Sequence, residues 1–223
     1  MRSAPLSVLL ATAAVACAGE PDPPPPPGSL VPDGARPTIV RSGDLDGDGR
    51  PEVVVASVAE SADGAEGLPT PYLEVFRRID GGWRRVFDAT GNTPPGPPGI
   101  PPEMLAGGSG FVAQSVTDVE LVDFRGDGSA EVVAAVASSG ATAGPVELWI
   151  LSMDRAGDLR TEFYEATERG GEVTVDGNRL TFRFPVYRSR DPGCCPSLIE
   201  TQEIGHDRSL GRIAVLARER ERA

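Results

Sequence analysis

From residue 37 onward the apolar positions fall in short runs rich in Val, Ile, Leu and Phe, each bounded by Gly, Asp or Pro. β-branched residues punctuated in this way predict strands rather than helices. The runs place strands at 37–42, 52–58, 72–79, 82–89, 111–122, 131–137, 145–153 and 159–166. Hairpin turns are predicted at Asp80-Gly81-Gly82 and over 154–158, where Gly and Asp allow the backbone to reverse. A further hairpin covers 173–187 with Asp176-Gly177-Asn178 at its tip, and strands near 198–204 and 211–217 follow. Residues 218–223 are mostly charged and are predicted to fray. Beyond the first 17 residues no segment keeps a 3.6-residue apolar period, so the expected fold class is all-β.

The pattern also repeats. Gly43 to Val55 aligns with Val122 to Ala134, superposing Asp44 on Asp123 and Glu52 on Glu131. Similarity continues from Leu73 against Leu148 and from Val86 against Phe163. A likeness kept over so long a stretch marks a duplicated structural unit. The chain therefore divides into antiparallel β units at 37–90 and 111–167, a Pro/Gly-rich loop at 91–110, and C-terminal hairpins at 168–217. About twelve strands are too few for a seven-bladed propeller. A partial propeller-like stack and a multi-sheet sandwich both fit.

The N-terminal segment has a different character. Arg2 precedes an apolar stretch, Leu6 to Val15, too short to span a bilayer, so residues 1–16 are expected to be a signal peptide. Ala14-Val15-Ala16-Cys17 resembles a bacterial lipobox, which implies lipidation of Cys17. An ordinary signal peptide cleaved nearby is the alternative. A lipid on Cys17 anchors a chain without a transmembrane helix. Residues 17–36 form a Pro-rich spacer, and the run Pro23 to Pro27 favours stiff polyproline II. These features place the protein in the bacterial cell envelope, exported and tied to the membrane through the lipid alone.

Charge and composition narrow the chemistry. The formal net charge is −12, and all 21 basic residues are Arg. No basic stripe is available to follow a nucleic-acid backbone, so nucleic acid is excluded as a partner. One His and three Cys rule out zinc fingers and multi-His metal centres.

The strongest candidate chemistry lies in Asp44-Leu45-Asp46-Gly47-Asp48-Gly49-Arg50-Pro51-Glu52. Carboxylates stand at positions 1, 3, 5 and 9 of this loop, with Gly at position 6 for the sharp turn. Calcium takes six to eight hard oxygens at about 2.3–2.6 Å. Asp44, Asp46, Asp48, Glu52, the backbone carbonyl near Arg50 and water supply such a set, so one calcium ion is expected. An EF-hand needs Glu at position 12, but Val55 stands there, inside a predicted strand. The loop resembles the strand–loop–strand calcium motif of FG-GAP/VCBS repeats, and that resemblance implies a calcium-stabilised β module used in adhesion or ligand binding. In the second copy Arg125 replaces the third carboxylate, while Asp123, Asp127 and Glu131 remain. A guanidinium aimed into that loop would neutralise the carboxylates, so no ion is expected there.

Asp191-Pro-Gly-Cys194-Cys195-Pro196-Ser197 resembles a signature of small bacterial lipoproteins and secreted proteins that has no settled activity. In an oxidising compartment Cys194 and Cys195 are expected to form a strained vicinal disulfide. Free buried thiols or a soft-metal pair are the alternatives. No nucleophile elbow and no Gly-rich phosphate loop is present, so catalysis is not expected. The sequence thus points to a binding or scaffolding module with an unidentified surface or periplasmic protein or a glycan as partner. An extracytoplasmic hydrolase using an unrecognised Asp/Glu pair is the competing reading.

Overall fold

The computed structural model describes residues 26–31, 33–59, 70–88, 114–138, 144–192 and 194–223. The signal peptide, the first part of the Pro-rich spacer with Cys17, and the 91–110 loop lie outside the described residues. Among the described residues, twelve strands follow a 3-10 turn at Pro27–Ser29. They are β1 (Ala35–Gly43), β2 (Glu52–Ala59), β3 (Thr70–Ile79), β4 (Gly82–Asp88), β5 (Gln114–Val122), β6 (Glu131–Ser138), β7 (Val146–Met153), β8 (Leu159–Ala166), β9 (Glu172–Asp176), β10 (Arg179–Val186), β11 (Leu198–Asp207) and β12 (Arg212–Arg222). Among the described residues no helix is long and apolar enough to cross a membrane.

Each run of four strands is one antiparallel meander. The orders are β1-β2-β3-β4, β5-β6-β7-β8 and, read from the other edge, β12-β11-β10-β9. The fold class expected from the hydrophobic pattern, all-β with duplicated antiparallel units, is the one observed. The C-terminal hairpins go further and complete a third sheet of the same design.

Side-chain alternation decides how the sheets stack. Successive residues of a strand point to opposite faces, so a strand that is apolar at every position must be covered on both. Leu148, Trp149, Ile150 and Leu151 of β7 are all buried, as are Val132 to Ala135 of β6. One set, with Val132, Ala134, Trp149 and Leu151, packs with Leu45, Val54, Ala56, Leu73 and Val75 of the first sheet. The alternate set, with Val133, Leu148 and Ile150, packs with Leu180, Phe182, Phe184, Ile204 and Ile213 of the third. The second sheet is thus the middle layer of a multi-sheet sandwich. Full burial of such aliphatic side chains contributes about 1.5–3 kcal/mol each, and this burial holds the layers together.

The two ends of the stack differ. On the outer face of the first sheet Val53, Val55 and Phe76 are buried under Leu30, Val31, Val40 and Trp83. From Arg179 to Phe184 β10 instead alternates between exposed and buried positions, which gives the third sheet one apolar face there. Its outer face carries the ion pairs Arg179–Glu203 and Arg183–Glu221.

The C-terminus differs from expectation. Residues 218–222 do not fray; they pair with β11 as far as Arg222 opposite Leu198. Glu200, almost fully buried, provides the reason. Its carboxylate accepts from Arg220 Nε at 2.6 Å, lies 3.0 Å from Arg218 Nε, and receives Gln202 Nε2 at 2.9 Å. Burial alone would raise the Glu200 pKa, but these donors outweigh it and hold the carboxyl below its ordinary value.

The duplication seen in the sequence extends to fine detail. A β-bulge skips Thr38 in β1 and the equivalent Thr117 in β5. Each threonine hydroxyl donates across to the neighbouring strand, Thr38 to the Ala56 carbonyl at 3.1 Å and Thr117 to that of Ala135 at 3.2 Å. Arg41 and Glu120, also at equivalent positions, form an ion pair of 2.9 Å between the first and second sheets.

Candidate functional site

The two acidic loops connect β1 to β2 and β5 to β6, and their backbones are built alike. Asp44 uses both carboxylate oxygens as acceptors, from Gly47 N–H and Gly49 N–H, each at 2.8 Å. Asp123 does the same for Gly126 at 2.7 Å and Gly128 at 2.9 Å. Those glycines have φ between +70° and +93°, the left-handed region that a side chain disfavours. At position 9, Glu52 Oε2 accepts from Leu45 N–H at 2.8 Å, and Glu131 Oε2 accepts from Phe124 N–H at 3.1 Å. The loops also touch, since Ala130 N–H donates to the Asp44 carbonyl at 2.7 Å.

In the first loop the structure brings together Asp44, Asp46 and Asp48, whose nearest ligand oxygens all lie within 4.8 Å of one another. Oxygens on opposite sides of one calcium ion are about 4.6–5.2 Å apart, so this set fits a single ion of that size. Asp46 is 5% exposed. Glu52, expected as a fourth ligand, is buried but stands outside this trio, with Oε2 committed to Leu45 N–H and Oε1 3.8 Å from Arg77 Nε. Of Arg50, the loop uses the N–H, which donates to Asp48 Oδ1 at 2.8 Å. Burial raises the pKa of Glu52 to about 7, and the neighbouring Asp46 and Asp48 charges push the same way. The Leu45 N–H and the Arg77 charge oppose the rise without cancelling it.

Arg77 is the residue that sequence reasoning missed. It comes from β3, where Phe76 pairs with Val53, and this register carries the next side chain over the loop. Its Nη2 contacts Asp46 Oδ2 and lies 3.2 Å from Asp48 Oδ2, while Nε is 3.8 Å from Glu52 Oε1. The buried Asp46 Oδ2 has no directed hydrogen bond, so charge contact with Arg77 is what offsets its burial. Nη1 reaches the other way, donating to the Arg155 carbonyl in the β7–β8 turn at 3.3 Å. Burial disfavours the Arg77 charge, but the Asp48 hydrogen bond and the surrounding carboxylates outweigh it and raise the pKa further.

The second loop is arranged differently in charge. Arg125, at position 3, pairs with Glu131 and approaches Glu162 Oε2 at 3.4 Å. Glu162 sits in β8 at a bulge whose counterpart in β4 is Val86, so the strand registers set Phe87, not Val86, against Phe163 and shift the sequence alignment by one residue there. The position matching Arg77 is Ser152, whose hydroxyl donates to Glu162 Oε1 at 2.8 Å. Asp127 turns to Ser129, whose hydroxyl donates at 2.6 Å and whose N–H donates at 3.0 Å. Those two bonds hold the Asp127 carboxyl below its ordinary pKa despite some burial. No trio of carboxylates comparable to Asp44, Asp46 and Asp48 is formed elsewhere among the described residues.

Cys194 and Cys195 are exposed and carry free thiols in this structure. The Cys194 thiol alongside raises the pKa of Cys195. Asp191 organises the segment, accepting from the N–H groups of Arg188 at 2.7 Å and Ser197 at 2.8 Å. Cys17 lies outside the described residues. No protein-family model matches the chain, and no curated protein matches it either.

Proposed function

We propose that the chain is an exported, calcium-stabilised β module, lipid-anchored through Cys17, that binds or scaffolds a surface or periplasmic protein or a glycan. The observation carrying this reading is the convergence of the Asp44, Asp46 and Asp48 oxygens, with the buried Glu52 carboxylate near enough to feel the Asp46 and Asp48 charges. Three carboxylates aimed at one point repel each other, and a divalent cation offsets that repulsion. The duplicated strand–loop–strand unit, similar to FG-GAP/VCBS repeats, supports the same reading, as do the signal-like segment and the proline spacer of the sequence.

Calorimetric titration with millimolar calcium is expected to give one ion per chain, because extracellular modules often bind at about 10⁻⁴–10⁻³ M. Asp46→Ala is expected to abolish the heat and the calcium-dependent rise in Tm. Absence of both signals in the parent chain would sink the calcium reading. The anchor is tested separately in cells: palmitate labelling is expected in the parent and lost in Cys17→Ser, and equal labelling of the two would refute it.

A further inference from the structure

The guanidinium of Arg77 lies where the negative charge of the first loop converges. It contacts Asp46 and Asp48 and faces Glu52, with only 18% of its side chain exposed. A dication held by the same three aspartates would stand against the Arg77 charge. Two cations drawn to the same buried oxygen, Asp46 Oδ2, repel each other at short range in a poorly solvated place. Binding of the ion therefore requires the guanidinium to leave or to be pushed aside.

The second loop shows that a guanidinium is a workable occupant of this kind of turn. Arg125 enters from position 3 of the loop itself, whereas Arg77 enters from the neighbouring strand, and Ser152 stands where an Arg77 counterpart would be. The two routes of approach have different consequences. Arg125 is fixed in the loop backbone beside the carboxylates it neutralises. Arg77 reaches in on a long, jointed side chain with a second attachment, the Arg155 carbonyl at 3.3 Å, and it lies against Gly157 of the same turn. It can withdraw without unfolding the loop.

We propose that Arg77 is a built-in competitor for the calcium ion of the first loop: its guanidinium serves as the counter-cation of the ion-free loop and is exchanged for the ion on loading. This inference rests on the calcium reading above. It adds that loading breaks the bridge Arg77 makes between the first loop and the β7–β8 turn of the second sheet, so ion occupancy is coupled to the contact between those layers. It also sets the affinity, because the ion must displace an existing salt bridge rather than enter a bare acidic cup.

The test compares the full chain with Arg77→Met, which keeps the length of the stem and removes the charge. Calcium chloride titrated by calorimetry is expected to bind Arg77→Met at least tenfold more tightly than the parent. Equal or weaker binding by Arg77→Met, with binding intact in the parent, overturns the competitor and leaves the calcium site standing. Binding by neither chain removes the calcium reading and this inference with it. A measurement on the parent alone guards against misfolding of the variant. The Arg77 Nε–H resonance should exchange slowly with solvent in chelator and approach the rate of a free arginine in calcium. A rate unchanged by calcium, in a chain that binds it, refutes the exchange.

Discussion

The loops at 44–52 and 123–131 share backbone hydrogen bonds, glycine conformations and a buried position-9 glutamate, yet they solve the problem of concentrated negative charge differently. In the second, the neutralising cation is written into the loop as Arg125, and a further carboxylate, Glu162, comes from β8 to meet it. In the first, the loop keeps all three aspartates, β4 offers Val86 at the Glu162 position, and the cation comes from β3 as Arg77. Three positions have changed together: Asp46, Arg77 and Val86 correspond to Arg125, Ser152 and Glu162. The lesson is that this strand–loop–strand frame survives a change of cation. The Asx-type bonds from Asp44 and Asp123 fix the turn, and whatever positive charge is nearest completes it.

The largest effect expected from breaking this comparison is on stability. Glu131 is 2% exposed and pairs with Arg125 while accepting the Phe124 N–H. Glu131→Ala removes the main partner of the Arg125 guanidinium and one of the two acceptors of the Phe124 N–H, leaving Glu162 and the Val122 carbonyl, a loss of about 3 kcal/mol. Urea unfolding should show the same loss in calcium and in chelator, as expected of a loop neutralised by Arg125 rather than by an ion. A loss that calcium repairs would place an ion in the wrong loop. The next effect sharpens the comparison in the other direction. Arg125→Asp combined with Glu162→Val should turn the second loop into a binding site, raising the calorimetric stoichiometry from one ion to two. At a hundredfold excess over Kd the added ion stabilises by about 2.7 kcal/mol, visible as a larger calcium-dependent rise in Tm. A stoichiometry that stays at one would mean that charge pattern alone does not separate the two loops.

Much of the fold was legible in the chain because the strands are short, β-branched and cleanly punctuated. The predicted runs at 52–58, 131–137 and 159–166 lie within a residue of β2, β6 and β8. The third sheet was harder to foresee as a repeat. Its first connection has shrunk to the tight turn at Gly177 and Asn178, so the acidic signature that marks the other two is missing. The C-terminal strand was misread for a physical reason. Its alternating charges suggest a solvated tail, but Arg218 and Arg220 reach one buried acid, Glu200, while Glu221 pairs with Arg183 on the opposite face. At the site, the carboxylate spacing within one loop was visible in the sequence, since those residues are local. Arg77 and Glu162 were not, because only the registers of β3 against β2 and of β8 against β7 bring them in.

The unlike ends of the stack limit how many sheets this architecture can hold. A fourth layer laid on the third sheet would have to strip water from Arg179, Arg183, Glu203 and Glu221, a desolvation cost of several kcal/mol per ion that their pairing only partly returns. The outer face of the first sheet is more apolar, with Val53, Val55 and Phe76 beside the ion pair Arg85–Glu74, and Leu30 and Val31 already pack on it. Among the described residues, charge thus caps one end of the stack and a short apolar segment covers part of the other. In repeat proteins polar terminal faces of this kind keep the array finite and in solution.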